Sequence, residues 1–133
     1  MPTVEFSFND IQRLLGKEIS YEELEERGIL FAKGEIDSFY EGLIRADIKD
    51  TNRPDLWSVE GIARELRGHY GVDVGLPKFK VKKSGISMHV DKKVEKVRAK
   101  TVGAVVKNLK FNDDAIRQTI QLQEKIHQTY GRN

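Results

Sequence analysis

The residues best suited to chemistry lie in one polar run, Asp50-Thr51-Asn52-Arg53-Pro54-Asp55, placed directly before a helix-patterned stretch. An arginine and an asparagine held at a helix N-terminus could bind an anion or a partner. The same residue types also have local tasks. Pro54 fixes its own backbone and pushes Arg53 out of helical geometry, Asp55 can accept amide hydrogen bonds at a helix start, Asn52 can bond nearby backbone, and Arg53 can pair with a carboxylate. The structural reading is therefore a rigid corner built from Asn52, Arg53, Pro54 and Asp55. A second group is basic. Lys78, Lys80, Lys82, Lys83, Lys92 and Lys93 fall in one segment and are the candidate nucleic-acid contacts. The plain alternative for these lysines is a solvated face, because no aromatic stacking pattern is interleaved with them.

Other chemistry is missing. His69, His89 and His127 are far apart, and none has a second ligand at metal spacing, so no metal site is expected. Glu22, Glu23, Glu25 and Glu26 form a charged helix face rather than an acid/base pair, which would need carboxyls in unlike environments. The chain has neither a phosphate-binding glycine fingerprint nor a nucleophile elbow. With no cysteine, disulfides and thiol nucleophiles are ruled out as well. No catalytic residue and no cofactor of its own is assigned to this chain.

These residues must be positioned by a modest number of elements, since 133 residues suit one domain, or one small domain and part of another. Thr3-Val4-Glu5-Phe6 alternates as a strand, followed by a helix capped by Asn9 and stopped at Gly16. Ser20-Tyr21-Glu22-Glu23 is a capping box opening a helix that ends near Gly28. Ile29-Leu30-Phe31 and residues 43 to 48 read as strands, separated by a turn region containing Gly34. Leu56, Val59, Ile62, Ala63, Leu66 and Tyr70 form one helical stripe. After Gly75-Leu76-Pro77, residues 78–82 and 86–90 alternate as half-buried strands, and 101–106 reads as a further, buried strand. Asn112 caps a last helix whose apolar residues, spread over a wide arc, call for more cover than one or two strands supply. The predicted fold class is α+β: a small winged-helix-like module at 1–74, a basic linker with strands at 75–100, and the incomplete start of a second α+β domain at 101–133.

Charge divides the chain in the same way. Residues 1–74 carry 9 Lys/Arg against 16 Asp/Glu, whereas residues 75–100 carry 9 against 2. The acidic first piece repels a phosphate backbone, which leaves the basic segment as the better nucleic-acid candidate. With 38% hydrophobic and 33% charged residues, the composition is that of a soluble globular protein. No apolar run is long enough to span a bilayer, and the start, MPTVEFSFND, has no signal-peptide pattern. The expectation is a cytoplasmic protein with no membrane partner.

The start MPTVEFS, the run Leu14-Leu15-Gly16-Lys17 followed by Ile19-Ser20-Tyr21-Glu22-Glu23-Leu24, and above all Asn52-Arg53-Pro54-Asp55-Leu56 with Val59-Glu60-Gly61-Ile62-Ala63-Arg64, resemble one known region. It is the N-terminal region of the phenylalanyl-tRNA synthetase β subunit, the archaeal and eukaryotic type being closer. The likeness continues through Val102-Gly103-Ala104-Val105-Val106 to Leu122-Gln123-Glu124-Lys125-Ile126-His127-Gln128. It implies a β subunit that joins an α subunit in a heterotetramer, which ligates phenylalanine to its tRNA with ATP and magnesium. The synthetic site would lie in the α subunit, and this chain would supply the first module and the entrance to an editing domain. The resemblance makes Asn52, Arg53, Pro54 and Asp55 an architectural or subunit-contact motif. No editing-site residue carries over, and the chain stops at Asn133, long before a full β subunit ends. The competing expectation is a free-standing helix-turn-helix-like module binding nucleic acid or protein.

Overall fold

The computed structural model describes residues 2–131, so the outer limits of the expected divisions, Met1 and Asn133, lie outside the described residues. Three strands, β1 (Thr3–Ser7), β2 (Gly34–Tyr40) and β3 (Leu43–Ile48), form an antiparallel sheet in the order β1-β3-β2. Alternation decides which face is covered: Val4 and Phe6 of β1 and Ile44, Ala46 and Ile48 of β3 are buried, with polar residues between them. β2 and β3 make a hairpin whose two turn residues, Glu41 and Gly42, both have positive φ, at 49° and 80°. That is the hand of turn that matches strand twist. The turn is tied down further, because the Phe8 amide donates to the Gly42 carbonyl at 2.8 Å.

Helices cover one face of the sheet. α1 (Phe8–Leu15) buries Ile11 and Leu15 and ends on Gly16 in left-handed geometry, φ 69°. α2 (Tyr21–Glu23) starts on the Ser20 cap and runs straight into a π-helical segment, Leu24–Ile29, which buries Leu24 and Ile29. α3 (Val59–His69) contributes Val59, Ile62, Ala63 and Leu66. A fully buried side chain of this size is worth about 1.5–3 kcal/mol, so this single cluster carries most of the stability. α4 (Asp113–Thr129) is capped by Asn112, whose side chain accepts from the Ala115 amide at 2.9 Å. It lies along the outer edge of β1. There the Glu5 amide donates to the Gln121 side chain at 2.8 Å, while the Gln118 and Gln121 amides donate to the Glu5 carbonyl at 2.6 and 2.9 Å. The two glutamines thus supply the bonds that another strand would have made.

Several expectations are corrected locally. The cap of α1 is Ser7, which accepts from the Asp10 amide at 3.0 Å, and not Asn9. Ile29-Leu30-Phe31 is helical, because the π turn carries Ile29 into the core where a strand would have exposed it. Residues 34–40, expected as a turn region, form β2.

The chain divides into two compact units, one made of residues 2–75 and 111–131, the other of Leu76–Lys110. Residues 101–110 fall in the second of these units and 111–131 in the first. In the second unit the only regular element among the described residues is a 3-10 turn, Lys92–Val94, capped by Asp91. The expected strands at 78–82, 86–90 and 101–106 are not formed. The alternation at 78–82 and 86–90 is real, but a strand needs a paired neighbour and a covering layer, and Phe79, Val81, Ile86 and Val102 stay exposed.

Candidate functional site

The corner runs from Asp50 to the start of α3. The Arg53 amide donates to the Asp50 carbonyl at 3.4 Å, and Pro54–Leu56 forms a single 3-10 turn with proline at its first position. Arg53 clasps Asp55 with two donors, Nε to Oδ1 at 3.0 Å and Nη2 to Oδ2 at 2.8 Å. Nη2 also reaches Glu65 Oε2 on α3 at 3.0 Å. The guanidinium thus joins the turn to the second half of the helix that follows it. Its hydrogen bonds to Asp55 and then Glu65 raise the Arg53 pKa above its ordinary value, against the opposing effect of burial. The Asp55 carboxyl is held below the usual range, chiefly by the Arg53 hydrogen bond. This carboxylate also bonds its own backbone amide, but it is not the cap of α3. The cap is Ser58, buried, with its hydroxyl accepting from the Gly61 amide at 3.2 Å.

Two residues given no role by sequence reasoning complete the corner. At Gly61 an added Cβ would stand 1.5 Å from the Asp55 carbonyl oxygen, so the turn rests directly on the backbone of the first turn of α3. The only available signal was a glycine inside a helix, which costs about 1 kcal/mol relative to alanine and calls for a packing reason. Trp57 is fully buried, with an indole nitrogen that has no hydrogen-bond partner among the described residues, and its ring lies 5.8 Å from that of Tyr130. Asn52 is exposed on the rim of a cleft of about 440 Å³ lined by Pro2, Thr51, Trp57, Thr129 and Tyr130.

Among the described residues no group of three or more His, Asp or Glu side chains could hold a metal ion. His69 stacks on Phe31 at 3.9 Å and meets Tyr70 edge-on at 5.1 Å, an aromatic contact rather than a proton relay. Lys78, Lys80, Lys82, Lys83, Lys92 and Lys93 are all exposed in the second unit, and the Lys93 amide helps close the turn on Asp91 at 2.8 Å. No described helix is long and apolar enough to cross a membrane.

No family model matches the chain. Individual proteins do. The chain is 45% identical to the phenylalanine–tRNA ligase β subunit of Pyrococcus horikoshii and 48% identical to that of Pyrococcus furiosus. It is 38% identical to that of Pyrobaculum aerophilum. Each match covers 99% of this chain and 24% of the relative, so the chain spans about a quarter of the length of these proteins. The fold agrees. A crystal structure of an N-terminal fragment of the phenylalanyl-tRNA synthetase β subunit from Pyrococcus horikoshii superposes with a TM-score of 0.91 at 44% identity, covering 98% of this chain and 39% of that one. The resemblance drawn from residues 1–128 is thus a likeness of both sequence and α+β fold, and its archaeal character holds for these relatives.

Proposed function

We propose that this chain is the N-terminal module of a phenylalanyl-tRNA synthetase β subunit, a non-catalytic assembly and tRNA-facing part of the enzyme that ligates phenylalanine to its tRNA. The observation that carries this reading is likeness over 99% of the chain, at 45–48% identity, to proteins named as that subunit. The site chemistry agrees with it. The corner of Asn52, Arg53, Pro54 and Asp55 uses its two charges in bonds within the chain, which supports an architectural role for it. On this reading the α subunit is the partner in a cytoplasmic heterotetramer, and ATP and magnesium act there. Residues 76–110 lead toward an editing domain, with Lys78, Lys80, Lys82, Lys83, Lys92 and Lys93 available to the tRNA backbone. The isolated chain neither activates phenylalanine nor deacylates tRNA.

The test is a chimera in which this chain replaces the matching quarter of the Pyrococcus furiosus β subunit, co-expressed with the α subunit of that organism. The expected result is a complex that elutes with the parent enzyme and charges tRNA with phenylalanine at comparable rate. Failure to assemble, with the chain itself folded by circular dichroism, would overturn the reading in favour of a free-standing binding module.

A further inference from the structure

The two outer strands of the sheet are finished in opposite ways. The β1 edge is closed by the glutamines of α4, whereas the outer edge of β2 has no hydrogen-bonding neighbour among the described residues. Beside this open edge lies an aromatic ladder. Phe39 of β2 stacks on Tyr21 at 4.5 Å and 11°, with Phe8 edge-on at 6.0 Å. The ladder is not sealed, since Phe39, Tyr40 and Leu43 are 43%, 73% and 42% exposed. The charges around it have one sign. Residues 20–26 and 34–43 contain seven carboxylates and no lysine or arginine. Glu35 and Glu23 are met by Lys49 and Lys17, at 2.8 and 3.7 Å. Glu22, Glu25, Glu26, Asp37 and Glu41 have no basic partner among the described residues.

We infer that the β2 edge and its aromatic ladder form a docking surface for an extended, lysine- or arginine-rich segment of a partner protein, added to the sheet as a fourth strand. Main-chain bonds to an open edge give affinity, and alternate side chains give selectivity. Here an apolar residue of the added strand lies beside Phe39 on the helix-covered face, while its lysine or arginine neighbours fall on the opposite face beside Tyr40, their long side chains directed to Asp37 and Glu41. The register jump between Ile36 and Ser38 breaks the strand at Asp37, which confines the added pairing to Ser38–Tyr40. Charge selects the occupant. Two acidic β2 edges repel each other, so a second copy of this chain is excluded, and a nucleic-acid backbone is excluded on the same ground. This inference does not depend on the function proposed above.

The test uses the whole chain, isotopically labelled for amide NMR. The probe is a synthetic peptide, Lys-Val-Lys-Phe-Lys-Val, compared with Glu-Val-Glu-Phe-Glu-Val. The expected result is saturable binding of the basic peptide, with amide shifts centred on Ser38–Leu43 and Tyr21. The acidic peptide should bind at least about tenfold more weakly, and raised salt should weaken the basic one. The double variant Tyr40→Ser, Glu41→Lys changes only exposed positions and should lose at least about tenfold in affinity while keeping the parent amide spectrum elsewhere. Equal binding of both peptides, shifts mapping elsewhere, absence of saturable binding, or self-association through β2 seen in sedimentation would each overturn the inference. Shifts produced at this edge by tRNA in place of the basic peptide would overturn it too.

Discussion

Residues 44–48 and residues 78–82 both alternate apolar and polar side chains, yet only the first stretch forms a strand. In the hairpin Ile44, Ala46 and Ile48 meet Val4 and Phe6 across the sheet, beneath Ile11, Leu24 and Ile62. In the second unit Phe79, Val81 and Ile86 are exposed, without a paired strand. Alternation states which side of a chain prefers cover. Whether a strand exists is decided by a neighbour that satisfies its amides and a layer that takes its apolar face, and both are properties of other segments.

The sharpest way to break this contrast is at glycine. Gly61→Ala forces a methyl group onto the Asp55 carbonyl and should cost roughly 3 kcal/mol or more, seen as a collapse of the urea midpoint. Gly103→Ala, whose added methyl would meet only the Met88 side chain, Cε at 3.6 Å and Sδ at 3.8 Å, should leave that midpoint unchanged. Leu66→Ala should cost about 3 kcal/mol by emptying the centre of the core, whereas Val81→Ala in the second unit should stay within about 0.5 kcal/mol. A melting curve in which the two valine-sized and leucine-sized losses matched would erase the distinction between the units.

Smaller effects refine the boundary. Hydrogen exchange should show α4 amides protected along with α1 and α3, and residues 76–110 exchanging near the unstructured rate. Equal protection of 101–110 and 111–129 would restore the single C-terminal piece expected from the sequence. Ser58→Ala should cost about 1 kcal/mol, the usual size of a lost helix cap.

Asp55→Asn should cost less than Ser58→Ala, because the Arg53 pair is nearly half exposed and screened. Its pH signature is directional. The folded pKa of Asp55 lies below its unfolded value, so on acidification the unfolded chain takes up the proton first. The carboxylate therefore stabilises fully above the ordinary carboxylate range and loses that contribution as pH falls through the folded pKa. Urea unfolding at neutral and at acid pH should show the parent losing slightly more stability than the Asp55→Asn variant, and a parallel loss in both would remove Asp55 from the corner.

What was legible in the sequence was mostly local. The Ser20 and Asn112 caps, the Gly16 stop, the stripe of α3 and the alternation of β3 each follow from residues within one turn or one strand. The errors arose where a distant partner decides. β2 reads as polar because it is an edge strand with one neighbour, and Ile29 reads as strand because only a π turn aims it at Gly34 and the core. At the corner, Arg53 was legible as an ion-pairing residue, but its two carboxylates lie 2 and 12 residues away, and only the second binds it to α3. Gly61 was invisible for the same reason, since its meaning is set by where the Asp55 carbonyl lands.

The glutamine clasp on β1 has a consequence in time. Glu5 is bonded to residues 113 and 116 positions further along, so a ribosome must deliver nearly all of this stretch before the clasp can close. At about 5–20 residues per second the nascent β1 edge waits roughly 4–15 s after its hairpin partners are available. During that interval the unsealed edge invites the wrong strand, from the same polypeptide or from a neighbouring one. Charge at β1 offers little protection, because its only ionisable side chain, Glu5, is matched by Arg45 of β3. Slowing translation after codon 75 should therefore raise misassembly of this stretch without changing the stability of the finished protein.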